Sequence, residues 1–201
     1  MKTTVFFVTS NSSKVATPTR ILARRGIEVK HVNLELVEIQ SPTVATVAAA
    51  KVRAAFRALQ APVIVNDGSI MIARLNGFPG TYVRHINAQI HVEGYLDLMV
   101  RHPLPTQRKC IVQDAVAFID ATRPAPVVFV RTIRGHLAPE ARGTFTSSRL
   151  TLAPIFIPDG YSKTYAEMNE EEYEAFRRTP ENEQMYESLA SAILGSQTSF
   201  E

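Results

Sequence analysis

A chain of 201 residues, 45% hydrophobic and 20% charged, is long enough to bury one sizeable core and should fold alone. Its net charge of +3 is carried largely by scattered arginines, among them Arg20, Arg24, Arg25, Arg53, Arg57, Arg84, Arg131 and Arg134; this argues against a long basic nucleic-acid groove and leaves small phosphorylated partners or no charged partner at all. The lone Cys110 excludes an internal disulfide and a cysteine-rich zinc site and points to a reducing cytoplasm, and no apolar run is long enough to span or anchor in a membrane.

In chain order, "TTVFFV" reads as a short strand, "TSNSSK" as a tight polar loop, and "VATPTRILARRG" as a helix ending at Gly26 with Val15, Ile21 and Leu22 on one face. "IEVKHVNLEL" alternates like a second strand. "SPTVATVAAAKVRAAFRAL" is an alanine-rich helix, with Ser41 as its cap and Pro42 at its first position, and "APVIVND" is a third strand ending at Asp67. Strands alternating with helices predict a mostly parallel sheet with crossover connections.

The pattern then loosens. Asn76 to Tyr82 is a turn cluster, "VEGYLDLMVRH" looks helical, and "KCIVQDAVAFID" and "APVVFVRTIRGHL" read as two long strands that would form an antiparallel hairpin. Leu150 to Ile157 reads as a buried strand interrupted by Pro154, followed by a Pro-Asp-Gly turn. "AEMNEEEYEAFRR" and "PENEQMYESLASAIL" close the chain as two helices, the second carrying Met185, Leu189 and Ile193 four apart. With neither repeat nor linker, residues 1–201 are expected to form a single two-lobed domain of the α/β class.

Three groups of residues carry candidate chemistry. The loop Thr9 to Lys14 lies between a strand and a helix, where backbone N–H groups and the helix dipole favour an anion and Lys14 adds a full charge; ordinary capping by Ser12 or Ser13 is the alternative. Asp67 is expected at the carboxyl edge of the sheet, where open α/β proteins build sites, or simply in an Asx turn. Glu35 or Glu38, with Asp67, offers hard oxygen ligands to Mg²⁺, and Lys51 lies on the neighbouring helix. The five histidines show no metal-binding spacing, and no serine sits in a G-x-S-x-G elbow.

Taken together, "FFVTSNSSK", "LVEIQS", the helix carrying Lys51, "PVIVNDGSIMIARLNGFPGTYV" and "PIFIPDGYSKTYAEM" resemble the HAM1-like inosine triphosphate pyrophosphatase family, which removes altered purine nucleoside triphosphates. The resemblance spans residues 4 to 168 and extends weakly to Leu194. It implies an elongated mixed β-sheet flanked by helices in two lobes, a homodimer, and Mg²⁺-dependent hydrolysis of a nucleoside triphosphate to monophosphate and pyrophosphate. It implies that Thr9, Asn11, Lys14 and Lys51 bind phosphates. Glu38 and Asp67 would hold the metal, and Asp67 would be the catalytic acid that activates water.

The departures from that pattern fall mainly at the base end. Asn66 stands where the family has Glu before the catalytic Asp. Leu150, Leu152 and Ala153 stand for an aromatic platform, a second aromatic and a base-reading Asp, and Met185, Tyr186 and Glu187 for Ser, His and Arg on the last helix. A base pocket lined by Leu150, Leu152, Ala153 and Tyr186 has lost the charged groups that would discriminate a 6-oxo purine. The expectation is therefore a pyrophosphatase with changed base preference. The competing readings are a weak or inactive nucleotide-binding protein on the same fold, and an enzyme for a modified nucleotide in a biosynthetic pathway.

Overall fold

The computed structural model describes residues 3–144 and 150–195; residues 1–2 and 196–201, the ends of the expected domain, and 145–149 within it lie outside the described residues. The chain forms two compact units, one drawn from Met1–Asp67, Asp114–Arg131 and Pro180–Glu201, the other from Gly68–Gln113 and Thr132–Thr179.

In the first unit, β1 (Thr3–Val8) pairs in parallel with β2 (Ile27–Val32), Thr3 opposite Ile27 and Val8 opposite Val32, and on its other edge with the start of β3 (Val63–Ile72), Phe6 opposite Val63. Parallel neighbours require crossovers, and α1 (Ala16–Ala23) and α2 (Val44–Leu59) supply them. Both helices are shorter than their sequences suggest. The last α1 residues tighten into i to i−3 bonds, Arg24 to Ile21 and Gly26 to Ala23, so the helix stops at Ala23 rather than Gly26. The α2 cap is Thr43, because Ser41 spends its hydroxyl on the Thr43 N–H and leaves Pro42 ahead of the helix. Strand β2 ends at Val32, and residues 33–40 carry no regular structure.

Strand β3 corrects a second expectation. It does not end at Asp67 in a Gly-Ser turn but continues through Gly68 and Ser69 to Ile72, because Ile70 and Ile72 have an apolar core of their own to enter. Strands β5 (Lys109–Ile119) and β6 (Val127–Leu137) are neighbours in the sheet, and the short connection 120–126 allows only an antiparallel hairpin. The strand order is β2-β1-β3-β5-β6-β7, with β4 (Pro79–Gly80) antiparallel on β3. Strands β3, β5 and β6 each contribute residues to both units.

In the second unit, α3 (Val83–Leu98) begins well before the expected "VEGYLDL" and is broken at His91, whose φ is +51°. The buried run from Leu150 is not a strand. Residues 151–155 turn tightly, with the Ala153 N–H on Leu150 and the Ile155 N–H on Leu152, and only β7 (Phe156–Pro158) pairs, antiparallel to β6. Pro154 explains the difference, since it has no N–H to give a ladder. Gly135 is required opposite β7, because a Cβ there would lie 2.2 Å from the Ile157 carbonyl oxygen. Helix α4 (Glu170–Arg177) opens with a reciprocal cap between Asn169 and Glu172.

Two apolar layers cover the sheet of the first unit. Val5, Phe7, Ile64, Val116 and Phe118 pack with α1 and with Met185, Leu189 and Ile193 of α5 (Pro180–Gly195), while Val63, Val65, Ala115 and Ala117 pack with Val44, Ala48 and Val52 of α2. Strand alternation produces this division, odd residues of β3 facing α2 and even residues facing α1 and α5.

Candidate functional site

The first unit brings together Lys14, Glu38, Lys51 and Asp67. Lys51 projects from α2 onto the sheet face that carries the odd residues of β3, and its Nζ lies 2.5 Å from Glu38 Oε1 and 3.4 Å from Asp67 Oδ2. Glu38 reaches this point from the irregular segment after β2. The three side chains form one ion-paired cluster.

Thr9 and Asn11 form the loop beside it. The Asn11 N–H donates to Thr9 Oγ1 over 3.1 Å, and the Thr9 N–H donates to the Val32 carbonyl, pinning the loop to the end of β2. Residues Ser12–Lys14 make one 3₁₀ turn, and α1 then starts at Ala16 with Val15 in the cap position and no side-chain cap. Lys14 Nζ lies 3.5 Å from the Asn66 carbonyl oxygen. Burial pushes the Lys14 ammonium below its ordinary range; Asp67 and Asp114 counteract this, Lys51 adds to it, and Glu38 counteracts it weakly. One electrostatic neighbourhood therefore holds all of these groups.

Asn66 and Asp67, adjacent in β3, point to opposite faces. The Asn66 side chain is buried and donates to the Ala115 carbonyl oxygen over 3.4 Å. The substitution of the family's Glu at this position thus falls on the α5 side of the sheet, away from the face that carries Lys51.

Three residues that sequence reasoning did not place in a site lie on that α5 side. Arg131 of β6 donates from Nη2 to Asp114 of β5, and its Nη1 lies 3.4 Å from Asn182 Oδ1 and 3.5 Å from the Asn182 carbonyl oxygen on α5. The available signal was a charged residue interrupting each of two apolar strands, "IVQDAVAF" and "VVFVRTI".

The four expected base-pocket residues are divided between the units. Leu152 and Ala153 are buried in the core of the second unit with Leu150 packed against it, whereas Tyr186 is only 7% exposed within the α5 layer of the first. Cys110 is buried in β5, and burial raises its thiol to about 12.

Glu38 and Asp67 present the hard oxygen donors that Mg²⁺ prefers. Among the described residues no group of three or more His, Cys, Asp or Glu gathers closely enough to cage an ion. No described helix is long and apolar enough to cross a membrane.

A sequence model described as the Ham1 family matches residues 5–178. The chain is 38% identical over 168 residues to a dITP/XTP pyrophosphatase of Methanopyrus kandleri, covering 84% of this chain and 86% of that protein. It is 31% identical over 166 residues to a protein of the same name from Thermococcus kodakarensis, covering 83% and 85%. Among solved structures, a HAM1 protein from Coxiella burnetii superposes with a TM-score of 0.80 at 21% identity, covering 96% of this chain and 99% of that one, and the Staphylococcus aureus Ham1 protein with 0.74 at 20%, covering 96% and 98%. These structures share its mixed α/β fold.

Proposed function

The chain belongs to the Ham1 family, and we propose that it hydrolyses a nucleoside or deoxynucleoside triphosphate to the monophosphate and pyrophosphate, with Mg²⁺ and with a base preference moved away from inosine and xanthosine. The observation that carries this reading is Lys51 set between Glu38 and Asp67, with Lys14 anchored one residue away on the Asn66 carbonyl. The names of the archaeal relatives support the reaction class.

In this reading Thr9, Asn11, Lys14 and Lys51 hold the triphosphate. Asp67 accepts a proton from water as its oxygen bonds to the α-phosphorus and the bond to the α,β-bridging oxygen breaks, releasing pyrophosphate. Lys14 and Lys51 offset the charge that develops on that leaving group. Glu38 and Asp67 would hold Mg²⁺, which when bound supplies Lewis-acid stabilisation of phosphoryl oxygens. The changed preference is supported by Leu152, Ala153 and Tyr186, whose side chains are packed into cores and carry no charge for a base.

The reading extends to one domain of two lobes, supported by strands that run from one compact unit into the other, and to a cytoplasmic homodimer, a location supported by the single cysteine; light scattering checks the dimer. Asn66 in place of Glu favours the competing reading, nucleotide binding without turnover. Phosphate release coupled to inorganic pyrophosphatase, measured with Mg²⁺ over unmodified and modified triphosphates, separates the two. Turnover of at least one triphosphate that disappears in EDTA supports hydrolysis, and saturable binding of an intact triphosphate with no release by any member would leave only the binding role. Turnover confined to one modified nucleotide would mark a biosynthetic enzyme.

A further inference from the structure

We propose that Asp114 and Arg131 form a recognition pair for the hydrogen-bonding edge of the nucleobase, replacing from the sheet the charged readers that α5 lacks. This rests on the nucleotide-binding part of the reading above and on the arrangement of one row of residues.

On β3, β5 and β6 the residues Ile64, Val116, Phe118 and Phe129 face α1 and α5 as part of an apolar layer. Alternation puts Asn66, Asp114 and Arg131 on the same face, each two residues along its strand from an apolar member. The row begins at the proposed phosphate end, since Asn66 receives Lys14 on its carbonyl and bonds through its side chain to Ala115, the neighbour of Asp114. It ends at Asn182, which is 6% exposed at the start of α5 and accepts from Arg131.

Net stability is a weak reason for choosing this pair over apolar residues. A half-buried ion pair at the margin of an apolar face gains in Coulomb energy about what it loses in desolvation, and apolar residues of similar volume would hold the strands as well. The pair keeps an open side, because Asp114 and Arg131 retain 26% and 19% of their side-chain exposure. Its chemistry also selects its partner. A guanidinium already neutralised by its own carboxylate is a poor anion site, but acceptor-only Asp beside donor-only Arg matches a neutral group with a donor next to an acceptor, as a base edge has.

The other arginines near α5 are committed elsewhere. Arg20 of α1 and Arg24 just beyond it pair with Glu183, and Arg25 with Glu187. Met185 and Tyr186 are buried in the apolar layer, so the Asp114 and Arg131 pair brings charge to this end of the row.

The test is calorimetric binding of α,β-methylene triphosphates carrying adenine, guanine, hypoxanthine, cytosine and uracil to the full chain and to Arg131→Met, Arg131→Lys and Asp114→Asn, with melting curves to confirm folding. Wild-type protein should discriminate its preferred base from the poorest by at least tenfold. Arg131→Met and Asp114→Asn should each cut that ratio at least about 5-fold, toward unity, and Arg131→Lys, which keeps the charge but not the fork, should cut it less. Variants that keep the wild-type ratio, or a wild type that binds all bases alike, would overturn the pair's role. Because binding is read without turnover, discrimination lost in the variants of a protein that hydrolyses nothing supports this inference and refutes the hydrolytic reading. No binding of any triphosphate refutes both. Should Asp114→Asn fail to fold, the two Arg131 variants decide.

Discussion

Replacing Asp67 by Asn separates the chemical from the structural role of that carboxylate. The substitution is isosteric and removes one contact to Lys51, at 3.4 Å between side chains that are 14% and 15% exposed. At an effective dielectric constant near 20 that pair attracts by about 5 kcal/mol, most of it offset by desolvation. Lys51 is not stranded, because Glu38 remains at 2.5 Å; the net loss in stability should therefore be about 1–2 kcal/mol, or about 2–8 °C in Tm for a chain of this size. The catalytic loss should be much larger. A positioned general base contributes about 10²- to 10⁴-fold, equivalent to about 3–5 kcal/mol of barrier. The assay is steady-state pyrophosphate release with saturating Mg²⁺ on the best triphosphate, run beside thermal melts of both proteins. A fall in kcat of less than tenfold, with Tm inside the stated window, would refute the assignment of Asp67 as the base. A collapse of the fold would show that the carboxylate is chiefly structural.

Other substitutions test the fold that carries the site. Leu189→Ala empties a fully buried position in the layer under α5 and should cost about 2–5 kcal/mol in urea unfolding; a loss under about 1 kcal/mol would contradict the packing described. Gly135→Ala forces a Cβ to within 2.2 Å of the Ile157 carbonyl, so it should destabilise by about 1–3 kcal/mol, and an unchanged melt would show that β7 is not paired there. The Cys110 thiol, raised from 9.0 to about 12 by burial, should resist a disulfide reagent at pH 8 until denaturant is added. Because the unfolded thiol loses its proton first, this group should also withdraw stability as pH rises above about 9. Rapid stoichiometric labelling of the folded chain would contradict its burial.

The elements with strong local signals are legible in the sequence. β1, the α2 helix, the hairpin strands and the two closing helices announce themselves by alternation, alanine content or four-residue spacing, and Met185, Leu189 and Ile193 are buried as that spacing implies. Two misreadings share one cause. The extension of β3 past Asp67 and the early start of α3 depend on what each segment packs against, and single-chain patterning is blind to that partner; the turns at 151–155 follow instead from Pro154, which the sequence displays. Pro42 and Ser41 misled for a smaller reason, since the Ser41 hydroxyl accepts from the Thr43 N–H and Thr43 takes the cap position without a side-chain cap bond.

Sequence alone carried the family resemblance, the candidate phosphate and metal residues, and the replacement of the family's base-reading side chains, because residue identity and order hold that information. Tertiary structure decided which of these groups meet. Lys51 joins Glu38 and Asp67 because α2 packs on the face to which odd residues of β3 point, and Asn66 is sent to the other face by the same alternation. Asp114, Arg131 and Asn182, distant in the chain, became neighbours only when β5 and β6 paired under α5. A one-residue change of strand face relocates a side chain entirely, and the pairing that sets it is a property of the folded sheet.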